Sequence, residues 1–147
     1  MSIVRQLIIA VVLFAAGAVE ALAGEWMTSF EEAKAAAAEK NLPIVANFSG
    51  SDWCGWCIKL DKEVFSQEDF LAYAKDNVIL LGLDFPSRKP QEPAIAKQNK
   101  MLAAKYAIKG YPTILLLDAT GKELARTGYR KGGPAAYVEH LKSLIAK

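Results

Sequence analysis

Cys54 and Cys57 are the only cysteines of a 147-residue chain, and two residues separate them in Trp53-Cys54-Gly55-Trp56-Cys57. Thiols at this spacing can cycle between dithiol and disulfide, because one helical turn brings both sulfurs within bonding range. Two duller chemistries use such a pair. A structural bridge this short removes little entropy from the unfolded chain, so it is a weak staple. A zinc site needs four ligands, and the chain offers no third cysteine and a single histidine, His140, far along the sequence. The expectation is redox chemistry with no metal and no organic cofactor, the Cys54–Cys57 disulfide being the redox group.

The elements around the pair give it a reason to react. A strand-like run, Pro43 to Phe48, leads in, and a helix-like run, Ile58 to Phe65, leads out. The thiols therefore sit where a buried strand ends and a helix begins. First-turn amides lack intrahelical acceptors and the helix dipole is positive there, so thiolate is favoured over thiol. Thiolate is the nucleophile of disulfide exchange. Cys54 stands at the helix entry, open to a substrate. Cys57 stands one turn in, placed to attack a mixed disulfide formed at Cys54.

The rest of the chain supplies a sheet to hold this turn. Ser29 and Glu32 form a capping-box pattern before an alanine-rich helix that Asn41 and Pro43 stop. A second helix starts near Ser66, and Val78 to Leu83 reads as a second buried strand. Three prolines make 85–93 a loop before a helix over 94–106, with Ile95, Leu102 and Tyr106 toward the core. A third strand, Ile114 to Leu117, turns at Asp118 to Gly121 into a hairpin strand over 123–127. A closing helix follows Pro134. Strands separated by helices predict parallel pairing, and the short turn predicts one antiparallel pair. The fold class is α/β, a central mixed sheet with helices on both faces and the cysteine turn at the carboxyl ends of the strands.

Composition excludes some functions. Charges are mixed, with 18 basic and 16 acidic residues, and no basic run marks a nucleic-acid surface. Residues 1–23 have the form of a secretory signal peptide: Arg5, an uncharged run from Leu7 to Val19, then Ala21-Leu22-Ala23 before Gly24. The run is shorter than the roughly 20 residues that span a bilayer. The organisation expected is a signal peptide over 1–23, cleaved near Ala23, and one domain over 24–147. Such a protein is periplasmic or otherwise exported, where disulfides persist.

A strand, Trp-Cys-x-x-Cys opening a helix, and Gly110-Tyr111-Pro112-Thr113 before a later strand resemble the thioredoxin superfamily. Gly50 to Lys59, Asp84-Phe85-Pro86, Lys97-Gln98-Asn99 and Gly132 to Tyr137 are similar to its exported branch, the Dsb-type disulfide reductases of bacterial periplasms. The resemblance implies the thioredoxin fold, Cys54 as attacking and Cys57 as resolving thiol, and a cis peptide before Pro112. It implies that Trp53, Gly55, Trp56, Tyr111 and Pro112 form the surface on which a substrate strand binds. Thioredoxins place a buried acid under the cysteines, and the matching residue here is Asn47, which cannot take a proton. The strand that carries their neighbouring lysine reads Leu80-Leu81-Gly82.

Direction of electron flow follows from the pair between the cysteines. Gly55-Trp56 offers no charge to hold the thiolate, which predicts a potential on the order of −200 to −270 mV and reduction or isomerisation over oxidation. The expected protein is a monomer acting on disulfide-bonded exported proteins, and the resemblance implies that it draws electrons from a membrane thiol transporter of the DsbD or CcdA kind. The alternatives are a disulfide oxidase, a copper(I)-binding module using both thiolates, and a docking domain whose disulfide does not cycle.

Overall fold

The computed structural model describes residues 24–147, so the expected signal peptide lies outside the described residues. The strands are β1 (Trp26–Met27), β2 (Ile44–Ser49), β3 (Ile79–Asp84), β4 (Thr113–Leu117) and β5 (Glu123–Thr127). They form one sheet in the order β1-β3-β2-β4-β5. The helices are α1 (Phe30–Lys40), α2 (Gly55–Leu60), α3 (Glu68–Asn77), α4 (Pro93–Lys105) and α5 (Gly133–Ile145).

Strand alternation builds two cores. Ile44, Ala46 and Phe48 of β2 point to one face, where Phe30, Ala33 and Ala37 of α1 and Leu102 of α4 meet them. Val45 points to the other, against Leu60, Val64, Phe70 and Leu141. Leu81 and Leu115 extend the first core, and Leu80 and Leu116 the second. Covered on both faces, the central strands must be apolar almost throughout, which is why they read as runs rather than as alternation. Each fully buried Ile, Leu or Phe contributes about 1.5–3 kcal/mol relative to exposure.

Local signals set several boundaries as expected. Ser29 Oγ accepts the Glu32 amide at 3.3 Å, and α1 ends on Asn41 in the left-handed region, φ 53°. The expected helix over 58–65 begins earlier, at Gly55, and passes at Asp61 into a π-turn spanning Asp61–Phe65. The Ser66 amide donates to Asp61 O at 2.9 Å to close the wide turn. The extra residue lets both Val64 and Phe65 turn inward, where each is buried.

One strand was not foreseen and one expectation is corrected. The pair Trp26–Met27 is an edge strand, parallel to Leu80 and Leu81 of β3. Two residues are too few to show periodicity. The third long strand, β4, runs antiparallel to β2, with Thr113 opposite Phe48 and Leu117 opposite Ile44, although a helix precedes it. The reason lies in α4. Its Asn99, buried in mid-helix, donates Nδ2 to Asp84 O at the end of β3 (2.9 Å), and Gln91 Nε2 donates to the same carbonyl. Gln98 bridges the Phe30 amide and Thr28 O. These bonds fix α4 to the end of the sheet where β3 stops. The chain leaves and re-enters at that end, and β4 must run back.

Candidate functional site

The cysteine turn is built by backbone bonds onto Gly50. The Cys54 amide donates to Gly50 O at 2.9 Å and the Ile58 amide to Cys54 O at 3.0 Å. Cys54 is thereby the N-cap of α2, and its Sγ accepts the Cys57 amide at 3.3 Å. The two cysteines are joined in a disulfide with Cα atoms 5.2 Å apart, and are only 6% and 4% exposed. An N-cap sulfur that receives an amide and faces the positive helix end is stabilised as a thiolate when the bond is opened.

An aromatic rim surrounds the pair. Trp53 and Trp56 are 46% and 58% exposed, and Ile58 is exposed beside them. Trp53 Nε1 donates to Phe85 O at 2.7 Å, and its ring meets Tyr111 edge-on at 5.7 Å. Tyr111 also packs on Phe85 at 5.3 Å, and burial pushes its phenol upward in pKa. The Tyr111–Pro112 peptide is cis. The antiparallel entry of β4 opposite Phe48 is what brings Tyr111 and Pro112 to the cysteine end of β2. Gly55 is the first residue of α2, and a Cβ built there would meet nothing within 4 Å. The space beside Gly55, between the two cysteines in the sequence, is open.

On the other flank Trp56 packs on Tyr129 at 5.0 Å. Lys59 Nζ lies 5.2 Å from the Trp56 ring and 3.8 Å from Glu63. Tyr129 donates to Glu63 Oε2 at 2.6 Å, and that acceptor raises its pKa.

The sequence did not point to the supports of this rim. Asp84 accepts both the amide and the hydroxyl of Ser51, at 2.9 and 2.6 Å. Asp52 accepts the amides of Ser87 and Arg88, and the Ser87 amide is the main cause that holds its carboxyl below the usual range. A half-buried acid beside the thiols is thus a staple for the loop that carries Phe85. His140 lies away from the cysteines, its Nε2 2.8 Å from Thr127 Oγ1.

Asn47 sits behind the disulfide, in register with Gly82 of β3. Its Oδ1 is buried and accepts no hydrogen bond among the described residues. Asn47, Gly82, Cys57 and Asp61 line one cavity of about 340 Å³. Among the described residues no cluster of His, Cys, Asp or Glu has a metal-holding arrangement, and no helix is long and apolar enough to cross a membrane.

Comparison with known proteins agrees with this architecture. The model of the thioredoxin-like domain family matches residues 30–142. The chain is 37% identical over 117 residues to the disulfide bond reductase DsbH of Chlamydia pneumoniae, covering 80% of this chain and 70% of that protein. It is 32% identical over 103 residues to the thioredoxin-related protein DsbJ of the same organism, covering 70% of this chain but 30% of DsbJ. A solved DsbH oxidoreductase superposes with a TM-score of 0.79 at 36% identity, over 83% of this chain and 84% of that one. The chain belongs to the thioredoxin superfamily, in its Dsb-type branch.

Proposed function

We propose that this protein is an exported thiol–disulfide oxidoreductase that reduces disulfides in other exported proteins. Cys54 attacks the substrate disulfide, a mixed disulfide forms, and Cys57 displaces the reduced product while closing the Cys54–Cys57 bond. The carrying observation is Cys54 Sγ at the N-cap of α2, accepting the Cys57 amide at 3.3 Å, with open space at the adjoining Gly55. That setting favours Cys54 as the leaving and attacking thiolate. Trp53, Gly55, Trp56, Tyr111 and Pro112 form the surface that holds the substrate strand, with Pro112 supplying backbone rather than side-chain contacts. The disulfide is the redox group, so the reaction needs no metal or organic cofactor.

Reduction or isomerisation is favoured over oxidation because Gly55-Trp56 brings no charge between the cysteines to stabilise the reduced pair. The relative named a disulfide bond reductase supports the same direction. The partners are Dsb-system proteins and disulfide-bonded substrates, and a membrane thiol transporter of the DsbD or CcdA kind refills the electrons. The signal-like form of residues 1–23 supports export, with the work done in the periplasm.

The test is a trapping assay with the reduced protein and a disulfide-bonded substrate. Cys57→Ser should accumulate a mixed disulfide through Cys54, and Cys54→Ser should form none and lose insulin reduction by at least about 100-fold. The wild-type pair should equilibrate with glutathione on the order of −200 to −270 mV. A potential near −120 mV would overturn the reductase reading in favour of an oxidase.

A further inference from the structure

Trp56 lies between the two cysteines in the sequence, so what its ring borders stands next to a substrate joined to Cys54. The Trp53–Tyr111 contact occupies one flank of the turn. On the other flank a groove of about 490 Å³ runs from Trp56 to the start of α5, within the range of about 300–1,000 Å³ usual for ligand pockets. Trp56 and Tyr129 give the groove an aromatic surface. Trp56 stays 58% exposed although Tyr129 and Lys59 both pack on its ring. The chain then turns into α5 through Gly132 and Gly133, at φ 126° and 80°. A Cβ on Gly133 would meet nothing within 4 Å, so the groove is open at that end.

The charges that line the groove do not cancel. They belong to Lys59, Glu63 and Lys131. Glu63 is already engaged: its Oε2 accepts the Tyr129 hydroxyl at 2.6 Å, and its Oε1 lies 3.8 Å from Lys59 Nζ. Lys59 is held over both aromatic rings, 5.2 Å from that of Trp56 and 5.5 Å from that of Tyr129. Lys131 is exposed and forms no ion pair among the described residues. Two cations against one engaged carboxylate leave a positive charge in excess beside an aromatic surface. The complementary side chain is anionic at its tip and apolar along its stem. A glutamate lays its methylenes on the rings and brings its carboxylate to Lys131. A wholly apolar side chain would leave Lys131 without a counter-charge, and a basic one would be repelled.

We infer that the Trp56–Tyr129 groove is a subsite for an acidic side chain of the substrate strand, and that Lys131 sets the preference. The inference rests on the reductase reading above and names the class of substrate that reading leaves open: disulfides flanked by Glu or Asp. Neither cysteine lines the groove. It therefore acts on the capture of substrate by Cys54, through local charge, and not on the exchange of sulfurs.

The test is stopped-flow capture, by the reduced protein, of self-quenched peptide disulfides that carry Glu, Gln, Phe or Lys on both sides of the cysteine. Each rate is divided by that of dithiothreitol with the same peptide, which removes the effect of the substituent on the leaving thiol. The Glu peptide should be captured fastest. Lys131→Gln should lower the Glu-to-Gln ratio about 3-fold, the size of one exposed ion pair. That loss should shrink between about 0.01 M and about 1 M salt, as the screening length falls. Lys122→Gln removes the same charge at the β4–β5 turn, at the opposite end of the sheet from the cysteines, and should leave the ratio at its wild-type value. The subsite is overturned by a ratio that Lys131→Gln leaves unchanged, by an equal fall in Lys122→Gln, by a loss that salt does not reduce, or by preference for any other peptide. If the wild type captures none of the four peptides, the reductase reading falls and the subsite with it.

Discussion

Gly50 is the residue on which the aromatic rim depends. The Trp53 indole occupies the place its side chain would take: a Cβ on Gly50 would lie 2.3 Å from Trp53 Cε2. Gly50→Ala must push the indole away, breaking its bond to Phe85 O and its edge contact with Tyr111. The expected cost is about 1–3 kcal/mol, typical of forced overpacking, with a changed near-UV circular dichroism and slower disulfide capture. An unaltered near-UV spectrum would contradict the placement. The two cysteines were legible in the sequence because the spacing itself carries their chemistry. The rim supports were not. Trp53 and Phe85 are 32 residues apart, and Asp52 and Arg88 are 36 apart. No local pattern marks a bond made across such a distance. Asn47 was legible as a departure from the superfamily.

Elements were more legible than their arrangement. Caps and turn residues located α1, the hairpin and α5, since each of those signals acts within a few residues. The direction of β4 was not legible, because it follows from Asn99 and Gln98 reaching the ends of distant elements. The seam between α5 and β5 gives a second case of tertiary control, and one that pH can test. Burial of His140 holds its imidazole below the ordinary 6.5, and the charges of Arg130 and Lys147 add to the effect. Its contacts are Thr127 across the seam and Tyr137 on its own helix. The unfolded chain therefore binds more protons than the native one as pH falls through about 6.5. Stability from this group is full above that pH, declines down to the lower native pKa, and is level below it. The native carboxylates whose pKa is depressed, Asp52 and Asp118, lose their contributions only in more acid solution. Between pH 8 and pH 5 the urea midpoint should thus fall in the wild type and stay nearly flat in His140→Gln. Equal slopes in the two proteins would show that His140 is not the group responsible.

The whole molecule places its chemistry where its two cores meet. The face covered by α1 and α4 supplies Phe85 and Tyr111, and the face covered by α2, α3 and α5 holds Leu60 behind the cysteine turn. The sheet is one layer of side chains thick on each side, and β2 and β4 contribute to both cores. Loss of packing on either face should therefore be felt by the entire sheet and by the site. Ile44 and Ile114 are both fully buried, on opposite faces. Ile44→Val and Ile114→Val should each cost about 0.5–1.5 kcal/mol. With no shared cavity between them, the double variant should equal the sum within about 0.5 kcal/mol. Trp26 packs in the second core, so tryptophan fluorescence includes a report from that face, whereas far-UV circular dichroism reports all elements. In each variant the two urea transitions should coincide, as expected of one cooperative unit. Transitions that separate in Ile44→Val alone would mean that the α1–α4 face unfolds by itself. The capture rate at Cys54 would then have to be explained from the α2 face without Tyr111 and Phe85.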